Sequence, residues 1–599
     1  MWILGTASVL GFGFWGLVPA NIEGFLKILL LPSIGLLLFT QLLLLVSFIF
    51  GVGDISAFMS LLTLTTLAII CFLKFRPKIQ LKGISSVFVI ILLITCGFLS
   101  YVWFTQALAL SAGGYKTGGG GMYGDSALHA AYISRLTTGE FPPQNPLFAG
   151  KKLVYPLAND LLSATLRKAG LNFNLALTFP QIIFLVGFLV LFYKTCKKFT
   201  SNFGFLTALL FLFLGWGVGS FFFFNEWLRA GEAFSRFLTS DWTNNPQYNL
   251  HFHNILTGLI LPERSFLPGL VLGLLMSLNF LEYFEKKNLR PLVLNGLILG
   301  ALPFWHTHTF IFFAITSLIF FVWLLTREFK KTLINFLLMF LISLIIAIPF
   351  LLLFFSQHPL GNFFHFSFGW QNGKENIILF WFKNSYLVIP LAIWGWLIID
   401  KGKKIFFVPA FIIFLIANGV IFQPWDWDNI KLLTWSFLFF VILAGITLVK
   451  LFKEKFFFKF LVILIVLSSI STGVLSVTLQ LKNQYVIYDR WDIDLASWAK
   501  TNSGIDEVFI VEPVPNNPIS GLAGRLVYVG YPGHLWVHGI DYNKRLIDNQ
   551  RILDGDFTAL NYLDLPIKYL VLSKNDLDFV SRKEFRQVYQ NQKYVVYGF

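Results

Sequence analysis

Long apolar runs without charge constrain this chain more than any other feature. Residues 28–50, 84–108 and 333–355 contain no Asp, Glu, Lys or Arg. In lipid, backbone N–H and C=O groups must be satisfied within the segment, so runs of roughly 20 such residues read as spanning helices. Composition agrees: 13% of the 599 residues are charged and 56% are hydrophobic, whereas soluble domains average about 25% charged residues. These proportions exclude a wholly soluble, disordered or collagen-like chain. They predict a polytopic α-helical membrane protein.

The charge is unevenly placed. Residues 1–481 carry 33 Lys and Arg against 17 Asp and Glu, while residues 482–599 carry 13 against 14. The net charge of +15 therefore arises in the apolar part, in clusters bounded by Lys74 and Lys82, Lys194 and Lys198, Lys286 and Arg290, Arg327 and Lys331, Lys401 and Lys404, and Lys450 and Lys455. The positive-inside rule puts these clusters in the cytoplasm. Membrane lipid headgroups account for them with no nucleic-acid partner. The runs between them predict a transmembrane domain over residues 1–481 with about 12–14 helices; the candidates include 3–20, the weakest, and 203–221, 291–304, 386–399 and 405–422, some of them short for a bilayer. The long connections 109–174, 222–263, 356–385 and 423–432, and the tail 482–599, then share the opposite face.

The tail reads as a soluble α/β domain with a mixed sheet. Helices are predicted over 492–501 and 541–554, and strands at EVFIVEP, RLVYVGY, IKYLVLS and QKYVVYG. The cysteines Cys71, Cys96 and Cys196 all precede the tail and miss the outer loops, so this face folds by packing and not by disulfides. The segment GLAGRLVYVGYPGHLWVHGIDYNKR is dense in Gly, Trp, His and Tyr. It reads either as a packing loop or as a substrate contact through Arg525, His534, Trp536, His538 or Tyr542, because aromatic faces pack on sugars and Arg grips anionic groups.

The loop 109–174 should carry surface helices. Asp125 stands just ahead of the apolar-periodic stretch SALHAAYISRL. A carboxylate there caps a helix, or accepts the proton of an acceptor hydroxyl as that hydroxyl attacks a sugar carbon. His129 lies one helical turn on and shares a face with Asp125, placed to orient it or to bind substrate. Asp160, before the next amphipathic stretch, reads as a structural group or as a second polar group of the same site.

The element YGDSALHAAYISRLTTGEFPP and the layout around it resemble the GT-C superfamily of integral-membrane glycosyltransferases. The segment GLAGRLVYVGYPGHLW resembles an element of large bacterial membrane proteins of this kind. The resemblance implies a GT-C-like fold in a bacterial cell membrane, an extracytoplasmic C-terminal domain, a polyprenyl-phosphate-linked sugar donor, and a catalytic acid in the first large outer loop, here Asp125. Several families of the group carry paired acids at that point, whereas Asp125 stands alone between Gly124 and Ser126.

Other polar residues collect at the outer membrane border, where ionisable groups are costly and mark pairing or a pathway. Glu226, in NEWLRAGEAFSR, either pairs with Arg229 or orients substrate. Arg264, in LPERSFLPG, is a candidate for the donor phosphate, or an interfacial Arg paired with Glu263. His306 and His308, in PFWHTHTFIFF, are placed to donate to phosphate or sugar hydroxyls, or to pack between spans. In FQPWDWDNIKLL, Asp426 and Asp428 are candidates for sugar hydroxyls and Lys431 for phosphate. No residue is assigned as a metal ligand. The Asp-Trp-Asp triplet leaves a divalent metal, Mg or Mn, open, and no other cofactor is called for.

The expected function is transfer of a sugar from a polyprenyl-phosphate donor to a glycan, lipid or protein acceptor at the outer face, by inversion with Asp125 as base. A transporter or flippase of lipid-linked glycan is the alternative. A non-catalytic assembly or glycan-binding protein is the third reading.

Overall fold

The computed structural model describes residues 1–19, 22, 24–75, 83–357, 365–574 and 585–599. Of the first basic cluster, Arg76, Lys78 and Lys82 fall outside these residues. Among the described residues, nine helices are long and apolar enough to cross a membrane, and up to eleven if each of two bent pairs counts as one span. The bilayer core, about 30 Å thick, is crossed by roughly 20 helical residues, and these helices have 19 to 29. Two shorter apolar helices, Trp2–Phe14 and Arg290–Trp305, match the candidates at 3–20 and 291–304.

Two other candidates are broken. The segment 203–221 becomes Asn202–Leu214 and Gly219–Ala230, bent by 58°, and 386–399 belongs to Ile377–Ser385 and Val388–Ile398, bent by 94°. In the segment 405–422 the α-helix is limited to the ten residues Val408–Ala417, between the 3-10 turn Ile405–Phe407 and the strand Val420–Ile421. Apolarity alone predicts a span, but here Gly215 and Gly217 interrupt the first and Tyr386, at φ 47°, reverses the second.

Phe266–Lys286 and the span that begins at Asp426 and runs to Phe452 form the centre of the bundle. Each has 89% of its apolar window buried, against 22% for Ser86–Gln106 at the periphery. A helix apolar on every side is expected in such a central position. Both central helices start at the outer face, at the Glu263–Arg264 and Asp428–Lys431 segments.

The tail has the expected mixed sheet. Leu526–Val527, Val508–Ile510 and Tyr569–Ser573 run parallel to one another; Tyr594–Gly598 and Arg586–Gln590 continue the sheet antiparallel. The predicted helices are Arg490–Asn502 and Asn543–Leu553, the first opened by a capping box between Asp489 and Asp492.

The boundary at 482 is not a free linker. Gln484–Asp489 pairs with Gly114–Gly118 of the first outer loop, which pairs in turn with Ala109–Ser111. Gly114 sits at φ +126°, where a Cβ would meet the Tyr488 carbonyl oxygen at 2.1 Å, so only glycine permits this pairing. More of that loop docks on the tail. Ser134 Oγ donates to the Gly521 carbonyl at 2.8 Å, and the Ala149 amide donates to the Val527 carbonyl at 3.1 Å. Loop and tail therefore occupy one side of the bundle, which the charge rule makes extracytoplasmic. The other long loops are tied to one another, Trp427 Nε1 donating to the His251 carbonyl at 3.2 Å and Asn249 Nδ2 to the Asn372 carbonyl at 3.1 Å, and Trp425 meets Trp536 of the tail with ring centroids 6.4 Å apart.

Candidate active site

The surface helix of the first loop runs from Gly121 to Leu136, after Gly120 at φ 59°. It begins four residues before Asp125, because the glycine turn and not a carboxylate starts it. The cap reading of Asp125 is thereby corrected: no side chain caps this helix. Asp125 is partly buried. Among the described residues its carboxylate has no hydrogen-bond or ion-pair partner. Burial raises its pKa from the ordinary 3.8 and the nearby Asp428 adds to this, while His129 and Lys431 pull it down.

Lys431 stands at the outer end of the central span. Its Nζ lies 2.8 Å from Glu263 Oε1 and 3.0 Å from Asp428 Oδ1. Asp125 is in electrostatic reach of all three. Three carboxylates thus face one ammonium in a water-poor setting, where they cannot all hold full charge. Burial pushes the Glu263 carboxyl up to about 8; Lys431 opposes this, and Asp125 and Asp428 reinforce it.

A second, fully buried group braces the first. His129 Nδ1 lies 2.8 Å from Asp160 Oδ2, and Arg264 Nε donates to Asp160 Oδ1 at 2.9 Å. Arg264 also donates to the Leu177 carbonyl at 3.1 Å, to the Asn159 carbonyl at 3.4 Å and to Ser163 Oγ. Its guanidinium is occupied by the protein itself, so the geometry makes it a strut between elements and leaves Lys431 as the cation in electrostatic reach of Asp125. Tyr155 packs on His129 and Tyr132, with ring centroids 5.9 and 5.1 Å apart. Tyr132 Oη lies 3.4 Å from His538 Nδ1 of the tail.

The tail reaches the site a second time. A Cβ on Gly124 would lie 3.9 Å from His534 Nε2. His534 is carried on the short helix Pro532–Val537. Its Nδ1 is buried without a hydrogen-bond partner. Burial, and then His129, lower its pKa to about 4, so the ring is neutral at pH 7.

The remaining candidates divide. His306 starts the Thr307–Leu325 helix by accepting from the Thr309 amide at 3.2 Å, and its Nε2 is buried without a partner. Both His306 and His308 lie in the electrostatic reach of Lys431. Asp426 parts from Asp428: it faces His365 Nε2 at 3.3 Å, with its side chain 44% exposed. Trp536 packs toward Trp425 at 6.4 Å. Glu226 and Arg525 join neither group. Glu226 has no hydrogen bond or ion pair among the described residues, so the expected pair with Arg229 does not form, and its helix packs in an outer aromatic cluster around Phe223 and Trp242. Arg525 is buried in the tail, bonded to Ser503 and the Lys500 carbonyl.

The sequence offered Glu263 only as a partner of Arg264, and Asp160 as a second polar group of the site or, more readily, a structural one. The signal for Glu263 was present: a carboxylate where a span begins needs a cation, and Lys431 begins the other central span. Among the described residues, no three His, Cys, Asp or Glu side chains are grouped to hold a metal ion.

No protein-family model matches this sequence, and no curated protein matches it. Among solved structures, the chain is similar to ArnT from Cupriavidus metallidurans in the apo state, at 11% identity and a TM-score of 0.47, over 85% of this chain and 97% of that one. It is likewise similar to the same protein bound to undecaprenyl phosphate, at 12% identity and a TM-score of 0.46, over 86% and 98% of the two chains. These are similarities of chain path, at a level that assigns no shared chemistry.

Proposed function

We propose that this protein is a membrane glycosyltransferase that moves a sugar from a polyprenyl-phosphate-linked donor to an acceptor hydroxyl at the extracytoplasmic face, with Asp125 as base. Asp125 carries the reading. Its carboxylate has no hydrogen-bond or ion-pair partner among the described residues, its proton affinity is raised by burial, and Lys431 is within electrostatic reach. A carboxylate with raised proton affinity is the stronger base, and one spent on no structural bond is available to a substrate.

In this reading the acceptor O–H gives its proton to Asp125. The acceptor oxygen bonds to the anomeric carbon from the face opposite the phosphate. The carbon–oxygen bond to phosphate breaks, and its electron pair leaves with the polyprenyl phosphate. Lys431, fixed by Glu263 and Asp428, offsets the charge that grows on the leaving phosphate. His306 and His308 stand near it for the phosphate or the sugar. Arg264 and Asp160 act as positioning residues that hold His129, and hence the Asp125 face of the helix. The place of the site favours a lipid-linked donor: it lies at the outer ends of two apolar spans, where a polar head and a hydrocarbon tail are accommodated together. At this face the acceptor hydroxyl belongs to a glycan, a lipid or a protein.

The test is transfer by the purified chain with a panel of polyprenyl-phosphate sugars, comparing wild type with Asp125→Asn. Losing a general base should lower the rate by roughly 10²- to 10⁴-fold. Full activity in Asp125→Asn would remove Asp125 as the base.

A further inference from the structure

Two tryptophans, one from each domain, face each other beside this site. Trp425 precedes the central span, and Trp536 lies on the tail helix Pro532–Val537. Their ring centroids are 6.4 Å apart with planes at 50°. Trp427 extends the row, 5.0 Å from Trp425 at 32°. Indoles that meet across a domain boundary ordinarily bury one another, because each offers a large apolar area. Here Trp425 remains 38% exposed and Trp536 45% exposed.

The rim of this aromatic row is polar. Asp426 and His365, paired at 3.3 Å, have side chains 44% and 47% exposed. A carboxylate and an imidazole next to open indole faces suit a ring with apolar C–H faces and hydroxyls at its edge, which is the chemistry of a pyranose. Membrane anchoring fits less well, since Trp536 belongs to the α/β domain and not to a spanning helix.

Both ends of the row lead to Asp125. Trp536 is two residues from His534, whose Nε2 would lie 3.9 Å from a Cβ on Gly124 and whose Nδ1 is buried without a partner. Trp427 precedes Asp428, which holds Lys431 at 3.0 Å. We propose that Trp425 and Trp536 form a carbohydrate subsite that holds the acceptor, so that the tail completes the site and the acceptor is itself a glycan. Its place in the reaction rests on the transferase reading above; carbohydrate binding by the pair does not.

The test uses the full chain in detergent on a glycan array, which needs no donor and no turnover. Wild type should bind a subset of pyranose oligosaccharides. Trp425→Ala/Trp536→Ala should bind them at least tenfold more weakly, and Trp536→Tyr should retain most of the binding. Glu226→Gln, at a residue that joins neither group, should bind like wild type, and because the array contains no donor, binding is read apart from the catalytic assignment. Wild type binding no glycan, or the double variant binding as well as wild type, would overturn the proposal. A second arm places wild type and the double variant in nanodiscs with brominated acyl chains. No difference in fluorescence quenching between them is expected; a large one would make the pair a membrane anchor and overturn the subsite.

Discussion

The buried link between Asp160 and Arg264 separates a strut from a substrate contact. Asp160 accepts from Arg264 Nε at 2.9 Å, and their side chains are 1% and 7% exposed. Asp160→Leu leaves a buried guanidinium without its counter-charge, at a cost of about 3–5 kcal/mol. Arg264→Met leaves the carboxylate to His129 alone and should cost a similar amount. The double variant has no uncompensated charge. What it still lacks are the donors to the Leu177 and Asn159 carbonyls and to Ser163 and the acceptor of His129 Nδ1, about 1 kcal/mol each. The double variant should therefore lose about 4 kcal/mol, where simple addition gives about 6–10 kcal/mol, a coupling of at least about 2 kcal/mol. Unfolding in detergent micelles, followed by the helical signal, measures all four corners of the cycle. Additive losses would refute the strut. So would Arg264→Met with wild-type stability and abolished transfer, which would return Arg264 to the donor phosphate.

The Glu263 carboxyl, pushed up to about 8 from an ordinary 4.5, keeps its proton in the folded state over a window in which the unfolded chain has lost it. The folded state then binds more protons, so stability should fall as pH rises from about 4.5 to about 8 and level off above; Glu263→Gln should flatten that part of the curve in a pH series of melts. Transfer should rise with pH as Asp125 sheds its proton, with a midpoint above the ordinary carboxylate range, read from kcat/KM against pH. Lys431→Met leaves the acids bonded at 2.8 and 3.0 Å without their cation. It should lower transfer by roughly 10²-fold, as loss of one charge-stabilising group does, with Lys431→Arg recovering part of it. Gly524, at φ +67° with a Cβ position 2.4 Å from the Ser134 carbonyl oxygen, holds the tail against the surface helix. Gly524→Val should loosen that docking, seen as faster proteolytic release of the tail.

The sequence by itself determined the membrane class, the side on which the long loops gather, and the makeup of the tail. These depend on local quantities: apolar run length, charge along the chain, and strand and helix period. It also offered Asp125, His129 and Lys431 as candidates, because a polar residue near the start of a surface helix or a span is conspicuous in one dimension, and His534 from a segment dense in Gly, Trp, His and Tyr. Only the tertiary structure decided how such residues divide. Asp426 and Asp428 are two positions apart, yet the turn Asp426–Asn429 sends one to His365 and the other to Lys431. Arg264 looked like a free cation beside Glu263 until folding brought up Asp160, 104 positions away, and took its charge. Glu263 gained its role from Lys431, which is remote in the chain but begins the neighbouring central helix. Ion pairing and burial depend on distances through space, and in a bundle whose outer loops fold back on one another those distances bear little relation to separation along the chain.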